Sequence, residues 1–236
     1  MEKRNKIILF ATIIITILVV GICVVSIIKN NKKESDANKF RNEYMELNGQ
    51  KSYGDNLHIT VNISEDNTVK YLSEDEAVKM LEKGTGVIYF GFTGCPWCRN
   101  LVPILTELAE ELDETIYYLN ILEMRSTFKV EDEKLVQTRA GSDAYYKILK
   151  LLDKQLEDFY VTDEAGNEYD TKEKRLYAPT LVAVKNGEVR NIHVGTVESQ
   201  KSPYDELTTK QRKEIITIIK KLINSKNQEI CTKEGC

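Results

Sequence analysis

Two cysteines separated by a proline and a tryptophan, Cys95-Pro96-Trp97-Cys98, sit within Gly91-Phe92-Thr93-Gly94 on one side and Arg99-Asn100 on the other. An apolar, β-branched run precedes them and a helical pattern follows. A pair so placed, where a strand turns into a helix, sets the first sulfur over unpaired backbone N–H groups. Those donors and the helix dipole favour the thiolate, the form that attacks disulfides. Cys95 is thus the candidate nucleophile, and Pro96 suits a first helical turn because its missing N–H would be unpaired there. Attack on a disulfide leaves a mixed disulfide on Cys95, which Cys98, the less exposed of the two, then resolves. The rival chemistry is half of a zinc site completed by Cys231 and Cys236. A strand-to-helix setting is not what a zinc knuckle requires, so no metal and no cofactor is assigned.

The remaining cysteines sort by position. Cys23 lies in an apolar run and reads as an inert membrane thiol, while Cys231 and Cys236 form a close terminal pair. Two close pairs and one hidden thiol point to redox chemistry more than to a stapled scaffold. The terminal pair reads as a local disulfide or as two free thiols. It is not expected to reload Cys95 and Cys98, because from Asn224 to Cys231 the chain can return at most roughly 24 Å toward the site. His58 and His193 read as strand residues, with no triad partner suggested by spacing.

The chain has 236 residues, 42% hydrophobic and 30% charged, with net charge −4. Near-neutral charge and scattered basic residues, without a stripe of stacking aromatics, argue against a nucleic-acid partner. Residues 7–28 are an uncharged run of 22, which as a helix spans about 33 Å, enough to cross a bilayer. It is long for a cleaved signal, and no small-x-small site follows, so a retained signal-anchor is expected. Lys3, Arg4 and Lys6 precede it, but Lys29, Lys32 and Lys33 follow it, so the charge rule nearly ties. A short basic tail (1–6) before a long soluble domain is the usual signal-anchor layout. It places that domain outside the cytoplasm, where disulfides persist.

Elements that would position the pair are legible downstream. Residues 29–56 read as a polar linker with a short helix bearing Phe40, Tyr44 and Leu47 on one face, ended by Asn48-Gly49. Leu57, Ile59, Val61 and Ile63 alternate as a half-buried strand would, and Val69 to Leu72 follows a turn. Ser73-Glu74-Asp75-Glu76 is a capping-box pattern opening a helix that Gly84 stops. Val87 to Phe92 is apolar on both faces, as in a central strand. Leu101, Ile104, Leu105, Leu108 and Leu112 then recur at helical spacing, and Ile116 to Ile121 returns as a strand. Tyr145, Ile148, Leu149, Leu152, Leu156 and Phe159 predict an amphipathic helix, and Asp163 to Asn167 a turn. Leu181 to Val184 and Val189 to Val194 flank an Asn186-Gly187 hairpin turn. Ile215 to Ile223 supply a last helix before the tail 225–236.

This order, with Cys95-Pro96-Trp97-Cys98, Arg99, Pro103, Ala178-Pro179-Thr180 before a strand, and Val194-Gly195 closing the hairpin, resembles the thioredoxin superfamily. The resemblance covers roughly Val69 to Asn224. Gly-Phe-Thr-Gly-Cys-Pro-Trp-Cys-Arg-Asn is similar to membrane-anchored bacterial thioredoxin-like proteins, some labelled bacteriocin transport accessory proteins. It implies a three-layer α/β/α thioredoxin-like fold over 57–224, with a mixed central sheet and a helical insertion at about 122–177. It also implies a cis Pro179 that presents the backbone of Ala178 beside Cys95, so that an extended substrate could pair there. Trp97 would contact substrate or pack locally. The family's buried acid, six residues before the first cysteine, is here Tyr89, which puts its proton relay to the second cysteine in doubt. The expected activity is membrane-tethered thiol–disulfide exchange on protein thiols and disulfides with a separate redox partner. Redox direction and oligomeric state stay open, and a non-catalytic peptide-binding or secretion accessory module is the alternative.

Overall fold

The computed structural model describes residues 34–227. The expected membrane segment 7–28, with Cys23, and the tail pair Cys231 and Cys236 lie outside the described residues. Among the described residues no helix is long and apolar enough to cross a membrane.

A five-stranded mixed sheet with strand order β1-β3-β2-β8-β9 organises the domain. β1 (Val69–Tyr71), β2 (Gly86–Gly91) and β3 (Ile116–Asn120) run parallel. β8 (Thr180–Lys185) is antiparallel to β2, and β9 (Glu188–Val194) is antiparallel to β8. Every residue of β2 is buried, which requires cover on both faces. The helices supply it in two pairs. α2 (Glu74–Lys83) packs on α4 (Asp143–Leu151), and α3 (Pro96–Glu111) packs on α5 (Thr209–Ser225). The topology is thioredoxin-like, as expected.

Local chemistry explains the boundaries. The Ser73 hydroxyl accepts from the Glu76 N–H while Glu76 reaches back to the Ser73 N–H, and Gly84 caps the other end of α2. Thr208 and Gln211 repeat the same box at the start of α5. Asn186 and Gly187 both take positive φ at the β8–β9 turn. A Cβ on Gly187 would strike the Glu82 carbonyl, so only glycine lets this turn dock on the end of α2.

The sheet-side expectations differ from the structure in three places. The short helix expected in 29–56 is α1 (Asp36–Glu46), but it is part of the core and not of a linker: its Phe40 and Tyr44 are wholly buried beside β1. The domain therefore begins at Asp36, not near residue 57. Leu57 to Ile63 is extended and turns Val61 and Ile63 inward, but joins no sheet. Its start pairs with the backbone of residues 49–51, and side chains take up the rest: Asn48 bonds both the N–H and the carbonyl of Val61, Arg99 the carbonyl of Ile59, and Arg41 that of Ile63.

The third concerns the insertion, which is only partly helical. It consists of two β-hairpins, β4 (Thr127–Glu131) with β5 (Lys134–Arg139) and β6 (Glu157–Thr162) with β7 (Glu168–Arg175), on either side of α4. The expected long helix ends at Leu151, a 3-10 turn spans Asp153–Gln155, and Phe159 lies on β6. β-branched and aromatic residues from Phe159 to Thr162 outweigh the helical spacing that Leu156 and Phe159 continued.

Candidate active site

Cys95 is itself the N-cap of α3, with extended backbone, and Pro96 opens the helix. Its sulfur accepts from the Cys98 N–H at 3.2 Å and donates its thiol proton to the Ala178 carbonyl at 3.3 Å. Both cysteines are free thiols; Cys95 is 3% exposed and Cys98 fully buried. The Ala178–Pro179 peptide is cis, and the Gly195 N–H donates to the Pro179 carbonyl at 2.8 Å, which holds this loop against the end of β9. Thus Cys95, Cys98, Ala178 and Pro179 are brought together.

Opposing influences separate the two thiols. Burial pushes Cys95 up, but hydrogen bonds from the Cys98 side chain and from the Cys98 and Trp97 backbone, together with the positive charge of Arg125, bring it below an ordinary thiol. Burial raises Cys98 well above one, and its bond to Cys95 raises it further. The first sulfur is therefore prepared to ionise while the second stays protonated. Loss of the Cys95 proton also removes the donor to Ala178, freeing that carbonyl to accept an N–H from an extended chain.

Trp97 is half-buried against the core and also lines a cleft of about 650 Å³. The cleft runs from Trp97, Tyr177 and Ala178 past Val194 to Glu214 and Ile218. Val194 and Tyr177 are exposed apolar surface of this cleft. His193 lines the same cleft from β9, and neither histidine meets a nucleophile.

Two arginines escaped the sequence reading. Arg125, in the loop before β4, stacks its guanidinium 5.1 Å from the Phe92 ring centre and faces Cys95. No spacing rule could have found it, because the inserted segment carries it back to the site. Arg99, expected only as a basic residue after the pair, is fully buried. It donates to the carbonyls of Tyr44 at 2.8 Å and Ile59 at 2.9 Å and to Asn48 Oδ1 at 2.6 Å. The Tyr44 carbonyl belongs to the last turn of α1, the negative end of that helix, so the cation is favoured there. Arg99 thereby ties α1 and the extended segment to the start of α3.

Tyr89 occupies the position expected of a buried acid. It is wholly buried, and its hydroxyl lies 2.7 Å from that of Tyr44. No group of His, Cys, Asp and Glu among the described residues could hold a metal ion. The zinc alternative also needs Cys231 and Cys236, which lie outside them.

No protein-family model matches the chain, and no curated protein matches it. Among solved structures it is similar to oxidised thioredoxin O2 from Arabidopsis thaliana, 18% identical over 66% of this chain and 96% of that one, with a TM-score of 0.35. The thioredoxin-like fold rests on the strand order and directions themselves.

Proposed function

We propose that the chain is a thiol–disulfide oxidoreductase that exchanges protein disulfides and thiols through Cys95 and Cys98. The observation that carries this reading is the Cys95 sulfur at the start of α3, hydrogen-bonded by the Cys98 N–H and set against Ala178. The Cys95 thiolate attacks a substrate disulfide. A bond forms between Cys95 and one substrate sulfur, and the other leaves as a thiolate and takes up a proton. Cys98 then attacks the Cys95 sulfur, closing the Cys95–Cys98 disulfide and expelling the second substrate thiol. Two electrons pass from the pair to the substrate, and the reverse sequence oxidises a dithiol. A separate redox partner of the dithiol or disulfide class resets the pair. Trp97 and Ala178 would contact the substrate, which the exposed Tyr177 and Val194 flank. Tethering through residues 7–28, with the domain outside the cytoplasm, belongs to the same proposal and is supported by the uncharged run alone.

Insulin disulfide reduction tests it. Cys95→Ser should lose activity by at least about 100-fold, and Cys98→Ser should accumulate a mixed disulfide on Cys95. Wild-type turnover in Cys95→Ser would overturn the reading.

A further inference from the structure

The cleft that begins at Trp97 and Ala178 carries charge of one sign. Glu198 and Glu214 are the charged residues of its lining, and no lysine or arginine belongs to it. His193 adds no positive charge, since burial holds it toward its neutral form. Both carboxylates are exposed, and among the described residues neither is ion-paired or hydrogen-bonded. Cations close to them in sequence are engaged elsewhere. Lys201 donates to the Glu198 backbone carbonyl at 3.1 Å, while Arg212 and Lys220, on either side of Glu214, pair with Glu107 and Glu111 of α3. The other lysines of α5 do not line the cleft, and neither does Arg125.

Both carboxylates stand on ordered elements. Glu198 lies in a turn after β9, where the Gln200 N–H donates to the Val197 carbonyl at 3.0 Å and the buried Thr196 hydroxyl donates to Gln200 Oε1 at 2.6 Å. Gln200 Nε2 in turn donates to the carbonyls of Ser202 and Asp205. Gln211, in the first turn of α5, donates to the Ser199 hydroxyl at 3.3 Å. That bond joins the helix bearing Glu214 to the turn bearing Glu198. Glu214 and Ile218 are one helical turn apart and share a face, and both line the cleft. Trp97, Tyr177, Val194 and Ile218 give it its larger apolar surfaces.

We propose that Glu198 and Glu214 are specificity-determining residues of the exchange, selecting protein substrates whose reactive cysteine lies within a few residues of an apolar side chain and a lysine or arginine. This rests on the oxidoreductase reading above. An extended substrate that pairs at the Ala178 carbonyl brings the residues beside its cysteine to this cleft. The apolar side chain covers Trp97, Tyr177 and Val194. The long stem of a lysine or arginine suits the Ile218 surface while its charged head reaches the two carboxylates. An acidic side chain in the same place meets two like charges and no cation. Exposed pairs of this kind are individually weak, so each carboxylate changes the rate by no more than about fivefold. Their sum also biases the encounter toward basic segments.

Three short peptides test this, each with a valine-cysteine pair flanked by lysine, glutamine or glutamate and with thionitrobenzoate disulfide-bonded to its cysteine. They are mixed at low salt with the reduced full chain, in which Cys23, Cys231 and Cys236 are changed to serine so that only the pair reports. The Cys95 thiolate attacks the peptide sulfur, a Cys95–peptide disulfide forms, and thionitrobenzoate leaves with the electron pair and is read by its colour. Each rate is divided by that of β-mercaptoethanol with the same peptide, which removes the peptide's own reactivity. The lysine peptide should react about tenfold faster than the glutamate peptide, with the glutamine peptide between them. Glu198→Gln with Glu214→Gln should bring that ratio below about threefold. Glu157→Gln with Glu164→Gln removes the same charge from β6 and its turn, outside the cleft, and should keep it. A wild-type ratio near one, a ratio that survives loss of both cleft carboxylates, or one lowered equally by the second pair would overturn this assignment alone. Reaction no faster than that of β-mercaptoethanol with any peptide would overturn the oxidoreductase reading and the assignment with it.

Discussion

A thiol attacks only after losing its proton, so the balance of groups around Cys95 sets how much of it is reactive at neutral pH. Its own burial works against ionisation, and the helix-start donors work for it. Arg125 adds a full charge that originates outside the strand, turn and helix that carry the pair. The sign follows directly. The folded Cys95 value lies below that of an ordinary thiol, so iodoacetamide alkylation of the reduced protein should level off at lower pH than for free cysteine. Arg125→Gln removes the charge while keeping a polar chain. It should move that profile upward and slow alkylation at neutral pH by about threefold. An unchanged profile would mean that the backbone donors alone set the thiolate. Tyr89 shows what a single side chain can alter at this site: a buried acid there could exchange a proton, whereas a phenol held far above its ordinary value stays neutral and only donates or accepts hydrogen bonds.

At the scale of elements, legibility followed how far local pattern agreed with tertiary demand. Strand β2, the caps of α2, the Cys95 turn and the Asn186-Gly187 hairpin each carry a residue type that one conformation requires. The β4–β5 hairpin carries no such mark. Its turn is Asp132-Glu133, both at positive φ, in a two-residue connection that favours Asn-Gly. Nor does the Leu57 to Ile63 segment reveal from its alternation that Asn48, Arg99 and Arg41 would replace a neighbouring strand. Partners that come from 13 to 40 residues away leave no local trace. The hairpin turn makes a prediction: a left-handed residue other than glycine costs about 1–2 kcal/mol. Asp132→Asn with Glu133→Gly should therefore stabilise residues 127–139 by about 1 kcal/mol. Hydrogen exchange of the β4 and β5 amides would slow accordingly, and equal or faster exchange would contradict the turn assignment.

The domain as a whole holds two histidines in places built for their neutral form. His58 Nδ1 and His193 Nε2 are buried without a hydrogen-bond partner. Burial lowers His58, with the Arg99 charge adding to it, and burial also lowers His193. Because both folded values lie below the unfolded value of about 6.5, the unfolded chain binds more protons between the two limits. Their contribution to stability is then complete above about pH 6.5 and is lost as pH falls through the folded values. Glu76, Asp163 and Asp170 also have lowered values. They are surface carboxylates whose effect begins only near and below about pH 4. The thiols are set aside by using a Cys95→Ser, Cys98→Ser background. The urea midpoint of that protein should fall between about pH 7.5 and about pH 5.5, and His58→Gln with His193→Gln should flatten the fall. A midpoint that does not move, or a slope that survives both substitutions, would show that acid weakens this fold by another route than charging its two imidazoles.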